Sequence, residues 1–286
     1  MNPLSLSVVI PAYNEEEIIG KCLARLAEQR EHIAEVLVVD NNSTDRTAAI
    51  VAEHAVRWPA IRLIGESEQG LVHARNRGLD SAVGELIARI DADTLVPPDW
   101  ARHIVDFFAA DTTGHWAAAC GRGQAYDLPY GDTVGALRQR WRERKAHRVK
   151  QVPVLYGSNM ILRQHTWALI RDRVAMRRDV FEDVDTGLCV TEIGGRNAFL
   201  PTITVGVAPR RMATGMVSFT RYMSCLPRTL LLHKRYALAL AAATLYLPPI
   251  ITLHAARLAL LRTYNTHTGR FTPTDLFRKT PERVAP

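Results

Sequence analysis

Four short apolar runs, three of them closing on polar residues and separated by stretches of helical periodicity, constrain this 286-residue chain more than any other feature. Residues 5–10 read as a buried strand that Pro11, Ala12, Tyr13 and Asn14 break. Glu15-Glu16-Glu17 then opens a helix, where acidic side chains suit the dipole. Ile18, Ile19, Cys22, Leu23 and Leu26 follow at helical spacing. Residues 36–39 are a second strand ending at Asp40, and Asn41-Asn42-Ser43 is a turn, with Ser43 or Thr44 as N-cap of a helix reaching about Arg57. Residues 61–64 are a third strand, Gly70 precedes a helix over 71–82, and residues 86–90 are a fourth strand. Strand and helix alternating this closely specify an α/β domain with a largely parallel sheet.

Ligands of such sheets gather at the carboxyl ends of the strands. Three ends here are polar: residues 11–14, 40–42 and 91–93. Asp91 and Asp93 stand two apart, and side chains at i and i+2 of an extended chain point the same way. Both carboxylates can then face one volume and hold a hard divalent cation. Aspartate at a strand end also favours turns, so the pair takes its meaning from its surroundings. No G-x-G-x-x-G follows the first strand and no G-x-x-x-x-G-K-[ST] occurs, which disfavours a dinucleotide dehydrogenase and a P-loop nucleotide hydrolase.

VVIPAYNEE from residue 8, VVDNNSTD from residue 38, ARNRG from residue 74 and DADT from residue 91, in this order, resemble the family 2 glycosyltransferases of GT-A fold. The resemblance spans residues 5–211 once the later segments are included. It implies an α/β nucleotide-binding sheet flanked by helices and an inverting, metal-dependent transfer from a nucleotide-diphosphate sugar, UDP-sugars ahead of GDP-sugars. It places Pro11, Ala12, Tyr13 and Glu15 in the nucleotide pocket and Asp40 on the base. Arg75 would approach the nucleotide or its phosphates, and Asp91 would lie near the ribose and metal. Asp93 would ligate Mg2+ or Mn2+, the cofactor that takes up charge as the nucleotide leaves. Outside the resemblance, Asp40 reads equally as a turn former and Arg75 as a surface helix residue.

Farther along, residues 116–123 read as a strand, 126–131 as a turn-rich loop, 138–150 as a basic helix and 154–163 as strand, bend, strand. The resemblance sets Gly157 and Asn159 beside the donor sugar and acceptor; a β-bulge would explain the glycine, though not Asn159. Glu182, Asp183 and Asp185 stand at the start of an apolar helix, where acids also compensate the dipole. In the family such a Glu-Asp pair supplies the general base, here Asp183, with Glu182 supporting or contacting the acceptor. After a last strand region over 198–207, Arg210 and Arg211 resemble a basic element that closes over the diphosphate, or else they begin a basic tail. The Q-x-x-R-W element of relatives that add many sugars is missing, which points to transfer of a single sugar. A sugar-1-phosphate nucleotidyltransferase would want a Gly-rich, basic loop where PAYNEE stands. A non-catalytic nucleotide-sugar-binding module is disfavoured by the intact Asp93 and Asp183.

The net charge of +7 is unevenly spread. From residue 207 onward twelve Lys/Arg face two Asp/Glu, and residues 138–150 hold seven Lys/Arg and one Glu, so the rest is acidic. Such basicity suits lipid head groups, nucleic acid or substrate phosphate. Nucleic acid is disfavoured because Trp141 is the only aromatic in the basic helix. Residues 219–235 alternate basic and apolar, and residues 237–256 contain no Asp, Glu, Lys or Arg. Pro248-Pro249 is expected to break this segment into halves too short to span a bilayer. The expectation is a catalytic domain over residues 1–211 and a C-terminal helical region over 212–286 that grips the cytoplasmic membrane face as a hairpin or interfacial helices. Packing on the catalytic domain or a dimer interface is the alternative. A membrane-bound enzyme would take a lipid or lipid-linked glycan of the cell envelope as acceptor. Residues 1–6 do not resemble a secretory signal, the four cysteines lack paired spacing as in a reducing cytosol, and residues 266–286 read as a loose end.

Overall fold

The computed structural model describes residues 4–125, 148–208, 215–265 and 270–271. The turn-rich loop at 126–131, most of the basic helix, Arg210 and Arg211 lie outside the described residues. The chain divides into two compact units, one of residues 1–178 and 182–208, the other of residues 179–181 and 209–286.

The first unit is built on an eight-stranded sheet. Its strands are β1 (Leu6–Ala12), β2 (Glu35–Asp40), β3 (Ile61–Gly65), β4 (Leu86–Ile90), β5 (Ala118–Cys120), β7 (Lys150–Val152), β8 (Asn159–Arg163) and β9 (Asn197–Phe199). Their order is β3-β2-β1-β4-β8-β5-β9-β7. β6 (Gly123–Ala125) and β10 (Val205–Val207) form a separate parallel pair. From β3 to β4 all pairing is parallel, whereas β8 runs antiparallel to β4. The chain winds outward from β1 to β3 and returns to the other side of β1 as β4. The β1–β4 junction is therefore the switch point at which open α/β sheets bind ligands.

Side chains alternate across the sheet and are buried on both faces. Val8 and Ile10 of β1 join a core with Ile19, Leu23 and Leu26 of α1 (Ile19–Ala27), Val51 of α2 (Thr47–Arg57) and Trp100 and Phe108 of α4 (Trp100–Ala110). Val9, Leu37 and Ile87 face the other way. They pack with Leu79 of α3 (Leu71–Ser81), Trp167 and Ile170 of α5 (Gln164–Ile170) and Val190 of α6 (Glu182–Glu192). Gly78 lets α3 lie close on β1: a Cβ there would come within 2.3 Å of Val9 Cγ1. Overpacking such a contact costs about 1–3 kcal/mol.

Several local expectations are corrected. β1 continues through Pro11 to Ala12. The Leu6 and Ala12 carbonyls accept from residues beside β2, whereas Ser5 accepts from Leu86, so odd-numbered residues aim at β4. Pairing with β4 ends at Val9, and the missing N–H of Pro11 breaks no ladder bond. The glutamates precede α1 rather than open it: Glu15 donates its N–H to Thr47 Oγ1, and the Glu16 carboxylate accepts from Arg46 N. Ser43 and Thr44 do not cap α2. They are tied to Asn14, while Asp45 accepts the Thr47 N–H at 2.9 Å. The region expected as a strand over 116–123 holds β5 and the start of β6, separated at 121–122. Residues 153–158 are a bend, not a strand.

The second unit holds α7 (Met216–Met223), α8 (Cys225–Leu232), α9 (Tyr236–Ala241), a π turn (Ala242–Tyr246) and α10 (Leu247–Thr263). Tyr264–Asn265 pairs antiparallel with Arg270–Phe271. The basic and apolar residues over 219–235 fall in two helices rather than one, because Pro227 has no N–H for the Met223 carbonyl four residues back. The prolines at 248–249 do not divide the apolar segment, contrary to expectation. Helix persists over 24 residues, Tyr236–Ala259, long and apolar enough by length and composition to cross a membrane. The π turn shifts the hydrogen-bond ladder just before Leu247, so both prolines fall in a first turn, where a missing N–H is tolerated. Phe219 of α7 stacks on the buried His254 of α10 with ring centroids 3.7 Å apart.

Candidate active site

The loops after β1 and β2 are locked together by their asparagines. Asn14 and Asn42 both adopt positive φ, at 52° and 63°. Asn14 N donates to Ser43 Oγ at 3.0 Å, and its Oδ1 accepts from Thr44 N at 2.8 Å. Asn41 bonds the Glu66 and Glu68 carbonyls and accepts the Gly70 N–H at 2.7 Å, which fixes the start of α3. Pro11 and Ala12 are buried at the end of β1, Glu15 is partly exposed, and Tyr13 stands in solvent. Asp40 ends β2, with its Oδ1 buried and no donor to it among the described residues.

β4 ends at Ile90, one residue before the Asp-x-Asp. Residues 91–94 form a turn, closed by Thr94 N donating to the Asp91 carbonyl at 3.0 Å and Asp91 N donating to Thr94 Oγ1 at 3.2 Å. Strand alternation therefore does not align the two carboxylates; the turn does the presenting. Both are partly exposed, and Asp91 Oδ1 already accepts from Arg75 Nη2 at 2.9 Å. Two carboxylates after a strand at the sheet's switch point are a donor set suited to a hard cation such as Mg2+ or Mn2+.

Arg75 is 4% exposed and Arg89, in the middle of β4, is 1% exposed. Arg75 pairs with Asp91 and also with Glu182, to which Arg89 Nη1 donates at 2.9 Å. One buried guanidinium thus joins the turn after β4 to the start of α6. Burial pulls the Arg75 guanidinium down, but Glu182 and Asp91 outweigh it and hold it up. Burial and then the like charge of Arg75 push Arg89 down. Arg75 is not the surface residue that its helix position also allowed. Arg89 was missed by motif reading. Its one signal is a charge inside an otherwise apolar strand.

Asp183 lies beside this pair in the first turn of α6. Its Oδ2 accepts the Gly157 N–H at 2.8 Å and its Oδ1 the Val184 N–H at 2.9 Å. Burial, then the neighbouring Glu182 carboxylate, raise the Asp183 carboxyl above its ordinary range. Arg89, the Gly157 N–H and Arg75 oppose the rise without cancelling it. Gly157 is needed for this approach, since a Cβ would come within 2.9 Å of Arg89 Nη2 and 3.1 Å of Asp183 Oδ2. A cavity of about 10 Å³ beside the cluster is lined by Arg75, Asn76, Arg89, Glu182, Asp185 and Thr186, among others. Asn159 departs from its expected place beside the sugar. It is fully buried, its Oδ1 accepting from Trp100 Nε1 at 3.1 Å and its amide donating to the Ile203 carbonyl. Its amide binds the sheet to α4 and the segment before β10.

An open α/β sheet with carboxylates gathered at its switch point is the arrangement of the GT-A fold. The model of glycosyl transferase family 2 matches residues 7–183, and the chain belongs to that family. It is 28% identical over 178 residues to the uncharacterized glycosyltransferase YibD of Escherichia coli, covering 61% of this chain and 49% of that protein. It is 34% identical over 112 residues to the beta-monoglucosyldiacylglycerol synthase of Synechocystis, covering 37% of this chain and 23% of that protein. The chain thus spans half or less of the length of these curated relatives. Among solved structures, the mannosyltransferase PcManGT from Pyrobaculum calidifontis, in complex with GDP-Man and Mn2+, superposes with a TM-score of 0.57 at 25% identity over 90% of this chain and 75% of that one. TarS from S. aureus, in complex with UDP-GlcNAc, shares the fold with a TM-score of 0.57 at 18% identity over 91% of this chain and 72% of that one. Membership of this family argues against the nucleotidyltransferase alternative.

Proposed function

We propose that the chain transfers one sugar, with inversion, from a nucleoside-diphosphate sugar to an acceptor hydroxyl on a lipid or lipid-linked glycan. The observation that carries this reading is Arg75, whose guanidinium binds Asp91 after β4 and Glu182 before Asp183, so that donor-side and acceptor-side carboxylates share one cluster. Pro11, Ala12, Tyr13 and Glu15 would line the nucleotide pocket, and Asp40 Oδ1, buried with no donor among the described residues, would accept an N–H of the base. Asp93, with Asp91, would hold a divalent cation, which supplies charge to the leaving diphosphate. Arg210 and Arg211 remain candidates for closing on that diphosphate. Asp183 takes the acceptor proton, and its raised carboxyl makes it a stronger base than an exposed aspartate. Gly157 fixes its direction through one N–H, and Glu182 supports it. A uridine diphosphate sugar is the first donor to test and a guanosine one the second, following the UDP-GlcNAc and GDP-Man bound by the structural neighbours.

The C-terminal region, residues 212–286, would associate with the membrane on its cytoplasmic face. Leu231, Leu238, Leu240, Leu245 and Leu253 are all at least half exposed, and Arg221, Arg228, Lys234 and Arg235 stand in solvent around them. Exposed apolar side chains beside basic ones suit an anionic bilayer.

Asp183→Asn tests the base. Release of UDP from UDP-glucose or GDP from GDP-mannose, with a membrane lipid extract as acceptor source, should fall by about 10²–10⁴-fold. The rise in melting temperature with UDP or GDP plus Mn2+ should persist. A variant that turns over normally would refute the assignment.

A further inference from the structure

Arg89 carries a charge where packing alone calls for an aliphatic side chain. It sits on the central strand β4, paired with Val9 of β1 on one side and Met160 of β8 on the other. Burying an ion there is costly unless it is paired. Its pairing is lopsided. Nη1 meets Glu182 at 2.9 Å, while Nε and Nη2 are buried with no acceptor among the described residues. Nη2 and Asp183 Oδ2 both border the space that a Cβ on Gly157 would fill, at 2.9 and 3.1 Å from it. Two of the three guanidinium nitrogens thus have no acceptor among the described residues, and one of them borders the same glycine space as the base.

We propose that Arg89 is a positioning residue for sugar transfer: anchored in β4, it fixes Glu182 and supplies the stationary positive charge that lets Asp183 exist as an anion inside the protein. This rests on the reading of Asp183 as the base. Two features distinguish Arg89 from Arg75. Arg75 is shared with Asp91 and so changes its surroundings when donor and cation bind, whereas Arg89 touches neither Asp91 nor Asp93 in the described contacts. Arg89 is also carried by a central strand of the sheet, whereas Arg75 is carried by a helix. The groups facing Asp183 are Glu182 beside it, Arg75 from α3, Arg89 from β4, the Gly157 N–H, and the Cys120 thiol from β5. Burial pushes that thiol up to about 12, so it stays neutral.

The test is the titration midpoint of the Asp183 carboxyl, read by carbon-13 NMR on the full-length, nucleotide-free protein with labelled aspartate. The Asp183→Asn spectrum assigns the signal. Arg89→Gln should raise the midpoint by about one unit or more, since it removes a close opposite charge. Arg89→Lys should restore most of the difference. Gly157→Ala, whose Cβ intrudes between the two side chains, should shift the midpoint in the same direction and carries the test if Arg89→Gln does not fold. A midpoint unchanged in Arg89→Gln, or in Gly157→Ala where Arg89→Gln does not fold, overturns the proposal. So does an Arg89→Lys shift equal to that of Arg89→Gln, which would mean packing rather than charge. Normal donor turnover by Asp183→Asn would instead sink the base assignment while leaving the midpoint result standing.

Discussion

The two units break the ordinary rule of burial in opposite ways. In the first, Arg75 and Arg89 are buried, and the partly buried Asp183 lies beside them. In the second, Leu245 is 75% exposed, Leu253 67% and Leu240 65%. Either exception costs stability when viewed as folding alone. A buried charge persists because chemistry needs a base and a fixed counter-charge out of water. An exposed leucine row persists where another surface covers it. On the proposed function, the same protein gives up stability at two places for two separate tasks, one catalytic and one of attachment.

The largest effect that would sharpen this contrast is at the turn proposed to hold the cation. If Asp93 holds the cation, Asp93→Ala should remove the Mn2+-dependent part of the UDP or GDP stabilisation, worth about 2.7 kcal/mol at a hundredfold excess over Kd. Persistence of a full Mn2+-dependent shift would take Asp93 out of the site. Next is the leucine row. Replacing Leu240, Leu245 and Leu253 together by Asp should cut flotation with phosphatidylglycerol vesicles about tenfold or more, given roughly 2.5–3.5 kcal/mol for each Asp set in a membrane. Nucleotide binding should be retained. Unaltered flotation would show that the row serves some other contact. The smallest effect is thermal. Asp183 has a raised folded-state carboxyl, so its ionisation favours the unfolded chain and stability falls as pH climbs from the ordinary carboxyl value through the raised one. Asp183→Asn should therefore melt higher than the parent at pH 8, by about 2–4 °C for each kcal/mol relieved, and the gain should vanish below pH 4. A variant less stable at both pH values would place Asp183 among the structural residues.

Much of the first unit was readable because its elements are short and locally encoded. The runs ending at Asp40 and Ile90, and the helical spacing from Ile19 to Leu26, emerge as β2, β4 and α1 with small shifts at the ends. The errors share a cause. Pro11 and Pro248 were read as breakers from their own chemistry, but what a missing N–H costs depends on whether a partner was waiting for it. That partner is set by strand register in one case and by a π turn in the other. Ser43 and Thr44 look like helix caps, yet a tertiary neighbour, Asn14, claims them first.

The sequence by itself determined the class of fold, the family and the set of acidic residues from which a site is assembled. Periodicity and motif order are local properties that survive in a string of letters. Only the tertiary structure decided which of those residues meet. It carried Arg75 into the interior between Asp91 and Glu182, turned Asn159 away from the cleft to bond Trp100 and Ile203, and exposed Arg89 as a charge within the central sheet. The reason is physical. The energy of a charge depends on its distance to other charges and to water, and for residues such as 89 and 182, far apart along the chain, those distances exist only once the sheet has closed.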